Sequence, residues 1–164
     1  MVANAVRFRA RGQKINRIAC EDYIVTNETG GRIFVRTMMW VILIQDRDPE
    51  DGRAYWSLTL GEQYEVIGIE ADSYRIVDDT GDPVLFHPEC FEITDSAEPE
   101  FWEVSIGDDG ERYAYPPAWD KPGFFEDYHD AVEEVRRRFW QEHRRLYGEP
   151  RPPTKPPDAW RVIQ

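Results

Sequence analysis

From residue 58 to residue 95 the chain reads LTLGEQYEVIGIEADSYRIVDDTGDPVLFHPECFEITD, with apolar and polar positions alternating over short runs that stop at turn residues. Successive strand side chains point to opposite faces, so in SYRIV Tyr74 and Ile76 share one face and Arg75 and Val77 the other. Leu60-Gly61-Glu62, Ala71-Asp72 and Asp78-Asp79-Thr80-Gly81 supply the turns, and Gly81 takes a positive φ without steric cost. The apolar run WVILIQ at 40–45 predicts the first buried strand, and after the loop DRDPEDGRA the run YWSL at 55–58 reads as another. PVLF at 83–86 is a short strand, Pro88 sets a tight helical turn over 87–90, and 90–93 closes the set. Short strands joined by tight turns, with a turn of helix before the last, predict one small β-barrel over residues 38–95.

Residues 96–148 add a hairpin and a helix. Trp102, Val104 and Ile106 alternate with Glu103 and Ser105, Gly107-Asp108-Asp109-Gly110 makes the turn, and 111–115 returns. After Pro122-Gly123 the period changes to 3.6: Tyr128, Val132, Val135, Phe139 and Leu146 form an apolar stripe with His143 in its last gap, predicting one long amphipathic helix. Acids crowd its first turns and arginines its last, which suits the helix dipole, and Gly148 stands just past its end. Its start falls near Phe125 or near Asp130, where Asp130 and Glu133 have the spacing of a capping box. EPRPPTKPP at 149–157 is an extended proline-rich tail, and Trp160, Val162 and Ile163 offer a small apolar anchor. Residues 1–37 differ in character: a basic arm, then a hairpin turning at 27–31. Met38 and Met39 directly precede the first barrel strand, which predicts a natural start there.

A chain of 164 residues with 41% hydrophobic residues buries one core without disulfide staples. No run of about 18 apolar residues marks a membrane span, and no leader pattern opens the chain, so the expectation is a cytoplasmic protein with no membrane partner. Cys20 and Cys90, far apart in such a chain, are expected to be reduced thiols. The charge of −12 changes the picture most. Residues 1–17 hold Arg7, Arg9, Arg11, Lys14 and Arg17 and no acid, which leaves the remainder at −17. So acidic a body repels phosphate backbones and favours a basic protein partner, leaving nucleic acid only the N-terminal arm.

Asp46, Asp48, Glu50 and Asp51 share one loop, but glycine falls at the seventh position and no glutamate closes the loop at the twelfth, as a calcium loop requires. His87 and Cys90 have half the spacing of a zinc site without a second pair, so no metal and no cofactor is expected. In FFEDYHD, Glu126 and Asp130 share a helical face and His129 neighbours Glu126, an arrangement in which Asp127 or Asp130 orients His129 as a general base. The motifs of nucleotide hydrolases, serine hydrolases, zinc proteases and dinucleotide enzymes are missing. Six Trp, eight Tyr and eight Phe exceed what the core needs, and several stand beside prolines and acids, as contact residues do. Pro150-Arg151-Pro152-Pro153-Thr154-Lys155 also fits the pattern of a proline-rich ligand.

The run LTLGEQYEVIGI, followed by YRIVDDTGDPVLF and PECFEI, resembles the SH3-like barrels of small bacterial and phage-associated proteins. That resemblance implies architecture alone, because such folds serve many functions. The small acidic body with surface aromatics is also similar in character to toxin-neutralising immunity proteins. The expected fold is therefore α+β, mainly β: an SH3-like barrel plus a hairpin and one long C-terminal helix. The expected function is a non-enzymatic binding module of immunity-like or adaptor type. Trp102, Tyr113, Tyr115, Trp119, Phe124 and Phe125 are its expected contacts, and Asp108, Asp109, Glu126 and Asp127 steer a basic partner. The alternatives are a hydrolase-like or metal-dependent enzyme using the Glu126 to Asp130 cluster, with His129 as base and Asp127 or Asp130 orienting it or holding a metal, and a nucleic-acid-associated barrel using the basic arm.

Overall fold

A computed structural model describes residues 37–157, together with three short strands before them. The chain divides into two units, Met1–Thr37 and Met38–Gln164. In the first, strands β1 (Ile15–Arg17), β2 (Tyr23–Thr26) and β3 (Arg32–Val35) form an antiparallel sheet in that order. The pairing of β2 with β3 is the expected hairpin, and β1 adds a strand to what was read as a basic arm. Arg7, Arg9, Arg11, Lys14 and Cys20 lie outside the described residues, and so do the Trp160, Val162 and Ile163 of the expected anchor.

The second unit is α+β and mainly β. Its strands are β4 (Trp40–Leu43), β5 (Gln63–Glu70), β6 (Ser73–Val77), β7 (Pro83–Phe86), β8 (Phe91–Asp95), β9 (Glu103–Ile106) and β10 (Arg112–Tyr115). They make one seven-stranded antiparallel sheet in which β7-β6-β5-β10-β9 are successive neighbours and β4 pairs with both β5 and β8. A 3-10 turn, Pro88–Cys90, precedes β8. Helices α1 (Phe124–His129) and α2 (Glu133–Leu146) follow the last strand. Among the described residues no helix is long and apolar enough to cross a membrane.

Strand β5 organises the unit. Its first half pairs with β4 (Trp40 opposite Glu65, Val41 opposite Tyr64) and its second half meets β10 at Ile69, while β6 runs along its other edge. The β5–β6 register shifts between Val66 and Gly68, a bulge that bends the strand between its two partners. Tyr64 and Val66 enter one apolar cluster with Val41, Leu43, Ile76, Phe86 and Phe91. Ile67 enters a second, made of Tyr115, Trp119, Phe125, Tyr128 and Phe139. At Gly68 the backbone lies against the Tyr115 ring so closely that a Cβ would overlap it. Gly68→Ala is therefore expected to cost about 1–3 kcal/mol by overpacking, measured as a lowered urea midpoint. An unchanged midpoint would mean that the Tyr115 ring moves freely.

Three expectations need correction. Residues 55–58 are turns, not a strand. Asp48 Oδ1 accepts the backbone N–H of Glu50 at 2.8 Å and Oδ2 accepts the Tyr55 hydroxyl at 3.0 Å, so the segment is gathered onto the acidic loop instead of joining the sheet. The single long helix is broken: Ala131 takes φ 60°, Val132 is extended, and α2 begins after it. The Asp130–Glu133 capping box does not form, since Asp130 ends α1 and Val132 occupies the N-cap of α2. The stripe survives the break, with Tyr128, Phe139, His143 and Leu146 buried, although Val132 is exposed.

Residues 149–157 form no regular element and run as a strap over the sheet. The backbone N–H groups of Thr154 and Lys155 donate to Asp79 O at 2.8 and 2.9 Å. Lys155 Nζ donates to the carbonyls of Trp56 and Leu58 and pairs with the Asp79 carboxylate at 3.3 Å. Arg151 lies over the Tyr64 ring, 5.0 Å from its centroid, and donates to Gln63 O. The cations of the proline-rich ligand pattern are thus engaged within the chain.

Candidate functional site: an aromatic groove with an acidic rim

Tyr113, Tyr115, Trp119, Phe125 and Glu126, half of the contact residues expected from sequence, line one groove of about 210 Å³ with Glu70, Asp120, Lys121, Pro122 and Gly123. Strand β10 sends Tyr113 and Tyr115 to it by its alternation. The Pro116–Pro117 pair ends the strand, and the Trp119 N–H donates to Pro116 O in the turn that follows. Gly123, at φ 81°, turns the chain into α1 and brings Phe125 back beside Tyr115. The Tyr115 and Phe125 ring centroids are 5.7 Å apart, and Trp119 stacks on Phe139 at 4.8 Å and on Tyr147 at 5.7 Å.

Under the floor lies a buried cation. Arg75 packs its guanidinium on the Phe125 ring, 3.5 Å from the centroid, and donates to Glu70, to the Tyr115 hydroxyl at 3.1 Å and to Pro83 O at 3.1 Å. Tyr115 also donates its hydroxyl to Glu70. Burial pushes the Glu70 pKa up, but the hydrogen bonds from Tyr115 and Arg75 and the charge of Arg75 outweigh it and hold the carboxyl below its ordinary value. Burial drives the Tyr115 phenol strongly upward, so it stays a hydrogen-bond donor. Asp120 and Glu126 are exposed on the rim, and no ion pair engages either among the described residues. Trp119 is 1% exposed, and its indole N–H has no acceptor among the described residues.

The remaining expected contacts lie elsewhere. Trp102 is buried and donates its indole N–H to the Tyr147 hydroxyl at 2.7 Å. Phe124 is buried edge-on against Phe125. Asp108 and Asp109 are exposed in the β9–β10 turn, and Asp127 is exposed on α1. Tyr113 alone of the six aromatics is half exposed; the other five belong to the core, because the two helices need an aromatic layer between themselves and the sheet. Tyr115, Trp119 and Phe125 pave the groove from within the core, and Trp102 and Phe124 lie outside its lining. Arg75 and Glu70 were missed. The signal for Arg75 was its place beside Val77 on one face of a strand otherwise rich in apolar residues.

The general-base arrangement is not assembled. His129 is exposed, edge-on to Tyr128, and among the described residues no carboxylate, Asp127 and Asp130 included, is bonded to its imidazole. It lines a separate cleft with Asp48, Asp51, Asp78 and Asp82. Asp48 and Asp78 are occupied there by the loops: Asp78 Oδ1 accepts from the backbone N–H and the hydroxyl of Thr80 and from Asp82 N. His87 and Cys90 diverge. His87 Nε2 lies 3.8 Å from Glu50, whereas the free, buried Cys90 thiol donates to Arg47 O at 3.2 Å. No protein-family model, curated protein or solved structure matches this chain.

Proposed function

We propose that this protein is a non-enzymatic interaction module that takes an extended, basic segment of a partner protein into the aromatic groove. The observation that carries the reading is Trp119, which lines a groove with an acidic rim and whose buried indole N–H has no acceptor among the described residues. A buried donor left unpaired costs about 1–3 kcal/mol, and a backbone carbonyl of an extended peptide supplies the acceptor it lacks. Tyr115 and Phe125 present ring faces to the peptide's apolar stems, while Asp120 and Glu126 attract its arginines or lysines. Glu70 contributes little net charge, because Arg75 neutralises it from beneath. We read the strand series β8-β4-β5-β6-β7, with its 3-10 turn before β8, as an SH3-like barrel, and the strand order supports this. The strongly acidic composition, which favours a basic partner, supports an immunity-like or adaptor role.

The test uses extended peptides of one design carrying arginine, norleucine or glutamate at a single position. The arginine peptide is expected to shift the Trp119 indole resonance saturably, with an association rate that falls as salt rises. Asp120→Asn with Glu126→Gln should lower that rate about tenfold while the fold is kept. Equal binding of the glutamate peptide, or an association rate indifferent to salt, would overturn the reading.

A further inference from the structure

A second pocket, of about 190 Å³, shares no lining residue with the groove. Its walls come from Trp40 on β4, Glu65 and Ile67 on β5, Val77 on β6, His143 and Tyr147 at the end of α2, and residues 149–151 of the strap. Two polar groups on these walls are unpartnered. The Glu65 carboxylate accepts no hydrogen bond among the described residues. His143, 4% exposed, has no partner for Nδ1. The other polar groups are occupied: Tyr147 donates its hydroxyl to Ile67 O at 2.9 Å and accepts from Trp102, and Arg151 donates to Gln63 O. The imidazole is hydrogen-bonded to the Gly148 backbone while Nδ1 has no partner, so in the Nε2–H tautomer Nδ1 is an acceptor, and the pocket presents it and the Glu65 carboxylate beside the apolar wall of Trp40, Ile67 and Val77.

The sequence placed His143 in the helix stripe without giving it a role and did not mark Glu65, since an isolated glutamate in a strand carries no signature. His143 Nδ1 is a buried acceptor left empty among the described residues, and the half-buried Glu65 carboxylate beside it keeps some access to solvent. An empty buried acceptor costs free energy, and a ligand with N–H donors returns it. We infer that this pocket binds a small organic cation, a primary ammonium or a guanidinium on a short apolar stem, held by the Glu65 carboxylate and His143 Nδ1. The carboxylate favours a cation over a neutral amide, and Trp40 lines the same pocket.

The charge states of the lining agree with this ligand. Burial raises the Glu65 pKa to about 7, with Arg151 pulling it back in part. Burial lowers His143 to about 4, helped by Arg144 and opposed by the Gly148 carbonyl, so the imidazole is neutral near pH 7. The groups around Glu65 are His143 and Tyr147 from α2 and Glu149 and Arg151 from the strap, while Trp40 on β4 is uncharged. Of Glu65 and His143, it is Glu65 that changes charge near pH 7, and a bound cation favours its ionised form. Binding therefore tightens about tenfold between about pH 6 and about pH 8.

The experiment titrates the full chain with propylammonium and ethylguanidinium chlorides, and with sodium propionate at matched ionic strength, following the Trp40 indole resonance. One or both cations should produce saturable shifts with a dissociation constant of about 1 mM, tightening with pH as above. Glu65→Gln, which keeps the side-chain volume, should weaken the binding at least tenfold at about pH 8 and abolish its pH dependence. Shifts that do not saturate, an equal response to propionate, or unchanged binding in Glu65→Gln would each overturn the inference and leave ordered water as the pocket's occupant.

Discussion

Glu70→Ala is expected to cost this protein about 3–5 kcal/mol, read as a fall in the urea midpoint followed by tryptophan fluorescence. The cost originates in Arg75. Its side chain is 4% exposed, and Glu70 is its carboxylate partner. With that carboxylate gone the guanidinium keeps the Tyr115 hydroxyl, Pro83 O and the Phe125 face, none of which carries a countercharge. A buried cation without an anion is among the most destabilising arrangements a core can hold. Glu70→Gln retains an acceptor and should lose less. Glu70→Ala combined with Arg75→Met should recover much of the loss, because the stranded charge is removed as well. The pH dependence has a definite sign. The folded-state pKa of Glu70 is depressed, so its contribution is present above the unfolded value of about 4.5 and is lost as pH falls through the folded value. A loss below about 1 kcal/mol in Glu70→Ala would show that Arg75 reaches solvent or another anion, contrary to the network described.

Five residues earlier on the same strand, Glu65→Gln is expected to do the opposite. It should stabilise the protein by up to about 3 kcal/mol at about pH 8 and leave stability nearly unchanged at about pH 4. Burial raises the Glu65 pKa from 4.5 to about 7. A carboxyl whose folded-state pKa is raised contributes fully below its unfolded value, and that contribution is lost as pH rises through the folded one. Glutamine has no proton to release, so the loss does not occur. Denaturant unfolding of both proteins across this pH window reads the difference directly. Parallel stability curves for the two proteins would mean that Glu65 is solvated in the folded state and would refute its burial.

Much of the fold was legible because periodicity is a local property of the chain. Alternation and short apolar runs located β4 to β10, Pro88 marked the 3-10 turn, and the 3.6-residue stripe placed Tyr128, Phe139, His143 and Leu146 on the buried side of the helical segment. Legibility failed where a local pattern had a tertiary competitor. YWSL has strand character, but Asp48 captures Tyr55 and the acidic loop holds the segment in turns. The left-handed Ala131, followed by the extended Val132, divides a stripe that reads as continuous. The aromatic surplus drew attention to Trp102, Tyr113, Tyr115, Trp119, Phe124 and Phe125. It assigned most of those rings outward, because composition alone does not say how many rings a two-helix layer consumes.

The sequence by itself determined the strands, the hairpin, the helical stripe and the acidic character, since each follows from side-chain spacing or from a count of charges. Only the tertiary structure decided what becomes of two similar glutamates on one strand. Glu70 meets Arg75 from β6 and Tyr115 from β10, the latter 45 positions along the chain, and is held ionised. Glu65 faces the end of α2 and the strap, where among the described residues no hydrogen bond reaches it, and is driven toward its neutral form. A carboxylate's charge depends on the donors and the solvent within a few ångströms of it, and those neighbours are set by the fold.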